Sequence, residues 1–172
     1  MDSDKDPKLS SIDSFLEVIR NLRDPVKGCP WDLAQTHNSL RPYLLEESYE
    51  FLEALDTSND SEICNELGDI LLQVALHAQI ASDRGAFNFD DVAKGIANKM
   101  IRRHPHVFAA TKVSNADEVV ENWEKIKRQE KSAETIHGSI LDSIPLSMPS
   151  LALAARMGDK VSKFGFDWNS PS

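Results

Sequence analysis

Two groups of acidic residues carry the strongest chemical signal in this 172-residue chain: Glu46-Glu47-Ser48-Tyr49-Glu50, and further on Glu66-Leu67-Gly68-Asp69. Side chains three residues apart on a helix share a face. Glu47 with Glu50, and Glu66 with Asp69, therefore form two pairs if both segments are helical. At roughly 100° per residue, the apolar arc of Leu40, Leu44, Phe51, Ala54 and Leu55 encloses Glu47 and has Glu50 at its edge. Glu46 and Glu53 point to the solvent side and are read as solvated charges, although Glu46 could orient a ligand from behind. Carboxylates aimed at an apolar arc need a reason, because an unpaired buried charge is costly.

The second acidic segment repeats the anomaly. Its main apolar face is read as Ile63, Leu67, Ile70, Leu71, Val74 and Ala78, while the other side holds Glu66, Asp69 and Gln73 together with Leu72, Leu76 and Ile80. With so little polar face left, this helix is expected to be enclosed on most sides, in a bundle or by a second subunit. Thr57-Ser58-Asn59-Asp60 is a short run of turn formers, which predicts that the two helices fold back antiparallel. At ~1.5 Å rise per residue, both acidic pairs then reach one level and face each other. Four carboxylates at one level repel unless they are protonated or share a cation. An oxygen-only donor set favours a hard ion, Mg²⁺ first and Mn²⁺ as a substitute.

Complementary charge follows on a later helix, which opens after Asn88 and ends near His104 because Pro105 disfavours helical geometry before it. Val92 and Ile96 begin its expected inward stripe, and Lys99 and Arg103 continue it, whereas Arg102 points elsewhere. Beside a carboxylate–metal site, Lys99 and Arg103 make sense as phosphate contacts, the guanidinium as a fork. On the helix after that, Trp123 shares a stripe with Val119 and Ile126, and Lys127 lies one turn beyond. Such a Trp packs a core by default; with a neighbouring cation it could instead stack on a nucleobase.

Other chemistries fare worse. His104-Pro105-His106 reads as a rigid helix exit rather than a metal pair. A di-iron carboxylate bundle needs two Glu-x-x-His motifs, and only Glu134 with His137 matches. There is neither a GxxxxGK[ST] phosphate loop nor a GxSxG nucleophile elbow. Cys29 and Cys64 have no CxxC spacing and no evident catalytic partner, so they are read as inert thiols.

The elements that must position these groups are all helical. The spacing predicts a first helix from Ser11 to about Leu22 with Ser10 as its cap and Ile12, Phe15, Leu16, Ile19 and Leu22 as its stripe. A loop follows from Asp24 to Trp31. Further helices are expected from Asn38 or Ser39 to Leu55, from Ser61 to Ser82, from beyond Asn88 to His104, and from a Ser114–Asp117 capping pattern to about Gln129. The expected organisation is a flexible tail at 1–9, an all-α antiparallel helical bundle at 10–131, and a linker or docking arm at 132–172 with one helix from Leu151 to Val161. Twenty-eight acidic against nineteen basic residues, a net charge of −9, make stable nucleic-acid binding a poor expectation. The first ten residues lack the pattern of a signal peptide, and the most apolar stretch, Ile70 to Ala81, is too short to span a bilayer. A cytoplasmic protein is the expectation.

The ordered combination of these segments resembles the MazG family of all-α nucleoside triphosphate pyrophosphohydrolases. The residues that carry the resemblance are Glu46, Glu47, Glu50, Glu66 and Asp69, the Gly28-to-Asp32 segment GCPWD, Gln35-Thr36, the Asn98-to-Phe108 segment NKMIRRHPHVF, and Trp123 with Lys127. It covers roughly residues 10 to 131, and the Gly165-to-Trp168 end resembles the linker after the first copy in two-copy members. The resemblance implies Mg²⁺-dependent hydrolysis of a nucleoside triphosphate to the monophosphate and pyrophosphate, in a homodimer or homotetramer with helices packed across the subunit interface. It implies Glu47, Glu50, Glu66 and Asp69 as metal ligands and catalytic groups, and Lys99, Arg103, Trp123 and Lys127 as nucleotide contacts. The alternative within the same resemblance is a catalytically weak, oligomerising or regulatory half of a two-copy protein that only binds metal and nucleotide.

Overall fold

The computed structural model describes residues 10–132, 139–162 and 165. The expected tail at 1–9, the Glu134–His137 motif and the residues 166–168 of the chain's end lie outside them. The described residues are helical, with no strand among them: α1 Ser11–Leu22, α2 Pro30–Ala34, α3 Arg41–Thr57, α4 Asp60–Asp83, α5 Phe89–Arg103, α6 Pro105–Phe108, α7 Ala116–Ser132 and α8 Ser150–Ser162. A 3-10 turn, Ile140–Ser143, precedes α8. The chain divides after Ile101 into two compact units, each with its own packing.

In the first unit, α1 starts where Ser10 accepts a hydrogen bond from the Asp13 N–H, satisfying one of the donors a helix start leaves open. Its stripe meets α4: Ile19, Leu40, Ala75 and Leu76 form the core, with Phe15, Leu16, Leu22, Leu72, Ile80 and Phe89 packed around them. The segment between α1 and α3 is more ordered than a loop. Asp24 accepts from the N–H groups of Val26 and Lys27 at 2.9 Å each. Gly28 then sits so close to the chain that a Cβ there would lie 2.5 Å from the Asp24 carbonyl and 2.6 Å from that of Leu22. Pro30 opens α2 at a helix position where proline is tolerated, so a short helix replaces the end of the expected loop. Arg23 holds this segment to α4 through a 2.8 Å ion pair with Asp83, and it also donates to the Asp32 carbonyl.

The helical hairpin is built as the turn formers predict. Ser58 adopts the left-handed conformation at φ 55°, and the Asn59 side chain caps α4 through the Ser61 N–H. Glu62 clamps the turn by accepting from Thr57 and Asn59, both at 2.9 Å. The two helices, α3 and α4, pack against each other over their length.

Two expected faces are corrected. On α4, Leu67, Leu71 and Val74 are exposed, Leu67 at 49%, whereas Leu72, Leu76 and Ile80 go to the core. The helix carries two apolar faces, and α1 covers the one that also bears the acids. On α5, Val92 and Ile96 are exposed rather than inward, and only Phe89 reaches the core.

In the second unit, the end of α5 is tied to the end of α7. Arg102 bonds Glu130 at 2.6 Å, and Arg103 bonds its other oxygen at 2.6 and 3.1 Å. α7 is capped one residue past the expected Ser114: Asn115 accepts from the Glu118 N–H at 2.9 Å, while the Glu118 side chain accepts from the Ser114 N–H at 2.8 Å. The 3-10 turn is opened by a reciprocal box between Ser139 and Asp142, Ile144 behind it is buried, and α8 packs on the turn.

Candidate metal centre

Glu47 of α3 and Glu66 and Asp69 of α4 converge, each offering an oxygen that lies within 4.8 Å of the others. The hairpin explains why: its two-residue connector holds α3 and α4 at a register that brings residues about ten before and ten after the turn to one level. All three side chains are half-buried. Glu50 stands outside this trio and is exposed, turned roughly 60° around the helix from Glu47. Its charge is still felt there.

The electrostatics record the crowding. Burial, then the charges of Asp69, Glu50, Glu66 and Glu46, push the Glu47 carboxyl above its usual range. Glu66 is raised too, by burial first and then by Glu50, Asp69 and Glu62. Glu66 Oε2 is moreover buried without a hydrogen-bond partner. Buried polar atoms are nearly always satisfied in folded proteins, so an acceptor left open beside two like charges is a place for a cation. A divalent metal fits these residues: the donors are all oxygen, they are close enough to share one ion, and no Cys or His intrudes.

Gln73 adds a further polar group to this side of α4. It is only 4% exposed, and its amide oxygen, like the carboxylate oxygen Oε2 of Glu66, has no partner. One turn further on, His77 is half-buried and bonded to His37 through an Nδ1–Nδ1 contact of 2.8 Å, with the two rings stacked 5° from parallel. The acids were legible as a pair of motifs. The histidine contact joins residues 40 apart, and nothing in local spacing announces it.

The remaining predicted site residues divide between the units. Lys99, in the first, is exposed. In the second, the Arg103 guanidinium lies 5.1 Å from the Trp123 ring centroid while bonded to Glu130, and His104 meets the same ring edge-on at 4.8 Å. Lys127 is half-buried and 3.7 Å from Glu124. Trp123 thus packs as half-buried core, with a cation on it already. Cys29 and Cys64 are free thiols. No helix among the described residues is long and apolar enough to cross a membrane.

An all-helical chain whose hairpin gathers carboxylates for a divalent cation is the class that fold and site define. Comparison with known proteins makes this specific. Residues 35–108 match the model of the MazG nucleotide pyrophosphohydrolase domain. The chain is 53% identical over 144 residues to the Bacillus subtilis (strain 168) protein described as "Uncharacterized protein YabN", covering 84% of this chain and 29% of that one. It is 43% identical over 162 residues to the "Nucleoside triphosphate pyrophosphohydrolase" of Escherichia coli (strain K12), covering 94% of this chain and 61% of that one. Among solved structures it is similar to a mazG-related protein from Thermotoga maritima, with a TM-score of 0.56 and 26% identity over 67% of this chain and 98% of that one. Over residues 35–108 the chain carries a MazG-type domain. The chain spans less than two thirds of the length of these curated relatives.

Proposed function

We propose that this chain is a Mg²⁺-dependent pyrophosphohydrolase that cleaves a nucleoside triphosphate to the monophosphate and pyrophosphate. The observation that carries the reading is the convergence of Glu47, Glu66 and Asp69 with an unpartnered oxygen among them. It is supported by the match to the MazG nucleotide pyrophosphohydrolase domain and by the relatives that bear that activity in their names. Glu47, Glu66 and Asp69 would hold the ion, with Glu50 alongside, and Mn²⁺ could replace Mg²⁺. When bound, such an ion neutralises polyphosphate charge and makes a nearby water more acidic.

Lys99, Arg103 and Lys127 are the groups we assign to phosphate oxygens, where fixed cations stabilise charge developing on a leaving pyrophosphate. Trp123 we assign to the nucleobase. For Arg103 the phosphate would have to compete with Glu130, an exchange of one forked anion for another. We further infer a homodimer or homotetramer: Leu45, Tyr49 and Leu52 on α3 and Leu67, Leu71 and Val74 on α4 leave two apolar stripes exposed on one hairpin.

The test is a panel of NTPs and dNTPs with Mg²⁺, reading pyrophosphate release. Turnover of at least one nucleotide is expected. Asp69→Asn should cost more than the roughly 10–100-fold typical of residues that merely support a metal ligand, while Glu53→Gln should leave the rate nearly unchanged. Equal losses from both would overturn the assignment of the site. Metal and nucleotide binding without turnover would select the weakly catalytic, regulatory alternative instead.

A further inference from the structure

The polar stripe of α4 does not stop at the acids. At roughly 100° per residue, Gln73 projects in a direction between those of Glu66 and Asp69. It is 96% buried by its 4% exposure, and its amide oxygen has no hydrogen-bond partner. Next along the stripe, His77 already spends its Nδ1 on His37, and Ile80 belongs to the apolar core. Gln73 is therefore the polar group on this stripe, beyond the carboxylates, whose acceptor stands open.

An amide oxygen needs a donor or a cation. Being neutral, it adds little to a cation site beside three carboxylates, and it cannot bind an ionised phosphate, which offers only acceptors. Gln73 lies four residues past Asp69, an axial step of ~6 Å. Moving that far along a nucleotide from phosphates held at the acids, the first donors met are the hydroxyls of the sugar. Base donors lie further out and differ from base to base.

We propose that Gln73 is a specificity-determining residue whose side-chain oxygen accepts a hydrogen bond from a sugar hydroxyl of the bound nucleotide. This assignment rests on the nucleotide-hydrolase reading above. A buried acceptor used in this way discriminates strongly, because a substrate lacking the hydroxyl leaves the amide unpaired.

The experiment compares wild type with Gln73→Met, similar in volume but with no acceptor of comparable strength. The substrates are one ribonucleoside triphosphate and its 2′-deoxy, 3′-deoxy and 2′,3′-dideoxy counterparts, all with the same base and with Mg²⁺. Both kcat/KM and the dissociation constants of the matching α,β-methylene analogues, followed by tryptophan fluorescence, are measured. Wild type should lose roughly tenfold or more when the hydroxyl read by Gln73 is missing, and the 2′ and 3′ arms identify which one it is. In Gln73→Met that ratio should collapse toward one, with the dideoxy substrate handled within about threefold of wild type. If the Met variant fails to fold, Gln73→Asn, which withdraws the amide by one methylene, should show the same collapse.

A wild type indifferent to both hydroxyls overturns the assignment. So does a variant that keeps the wild-type ratios or lowers all four substrates by one factor. If wild type turns over none of them, the catalytic reading is what fails, and the binding ratios of the analogues still decide the role of Gln73.

Discussion

Individual side chains give this protein two acid-sensitive contacts and one that acid relieves. Glu130 is drawn down to about 2 by its hydrogen bonds with Arg103 and Arg102. Its ionised form is favoured in the folded chain, so the contribution is complete above the ordinary value of 4.5 and is lost as pH falls from there toward about 2. Thermal melting followed against pH should therefore flatten below 4.5 in Glu130→Gln, which should also melt lower than wild type at pH 7. The histidine pair responds nearer neutrality. Arg84 can only donate, so its 3.4 Å contact makes His37 Nε2 an acceptor and leaves Nδ1–H to donate to His77. Burial first, and His37 second, hold His77 below its usual 6.5. The unfolded chain takes up that proton first, so stability should fall as pH drops below 6.5 and follow a shallower course in His77→Gln. The raised carboxyls of Glu47 and Glu66 act in the other direction, destabilising the ion-free chain where they are charged. Millimolar Mg²⁺ or Mn²⁺ at pH 7 should thus raise the melting temperature. That rise should vanish in Asp69→Asn; an undiminished rise would remove the cation from this trio.

Among the elements, the Gly28 turn and the α3–α4 hairpin have the sharpest requirements. Gly28 is packed against backbone, not against side chains that could yield. Gly28→Ala must push apart the end of α1 and the start of α2, and overpacking of this kind costs about 1–3 kcal/mol. Urea denaturation should show a lower midpoint with little change in slope; an unchanged midpoint would mean the turn opens freely. The hairpin's requirement is register. Its connector is short, its cap residues are matched to it, and Glu62 bonds both sides of the turn. A helix pair so constrained brings Glu47, Glu66 and Asp69 to one level.

For the molecule as a whole, the exposed stripes of α3 and α4 are the feature a single chain does not account for. Leu52 is 53% exposed and Leu71 is 38% exposed in the middle of well-formed helices. Contiguous apolar surface of this sort marks association. Sedimentation at micromolar concentration should give a dimer or larger species, and Leu52→Glu combined with Leu71→Glu should shift it toward monomer. A monomeric wild type would leave those stripes unexplained.

The helices themselves were legible from the sequence because local rules govern them: the three-and-four recurrence of apolar residues, Ser10 at a helix start, and turn formers between α3 and α4. Of the four acids expected at one level, Glu47, Glu66 and Asp69 come together because they are neighbours on two adjacent helices, while the exposure of Glu50 was not legible from spacing. What periodicity could not decide was which of two apolar faces α4 turns to the core. Both sides of that helix carry leucines at helical spacing, so only packing against α1 selects Leu72, Leu76 and Ile80 over Leu67, Leu71 and Val74. The same limit hid the His37–His77 contact and the open amide of Gln73, because partners distant in sequence meet, or fail to meet, only once the chain has folded.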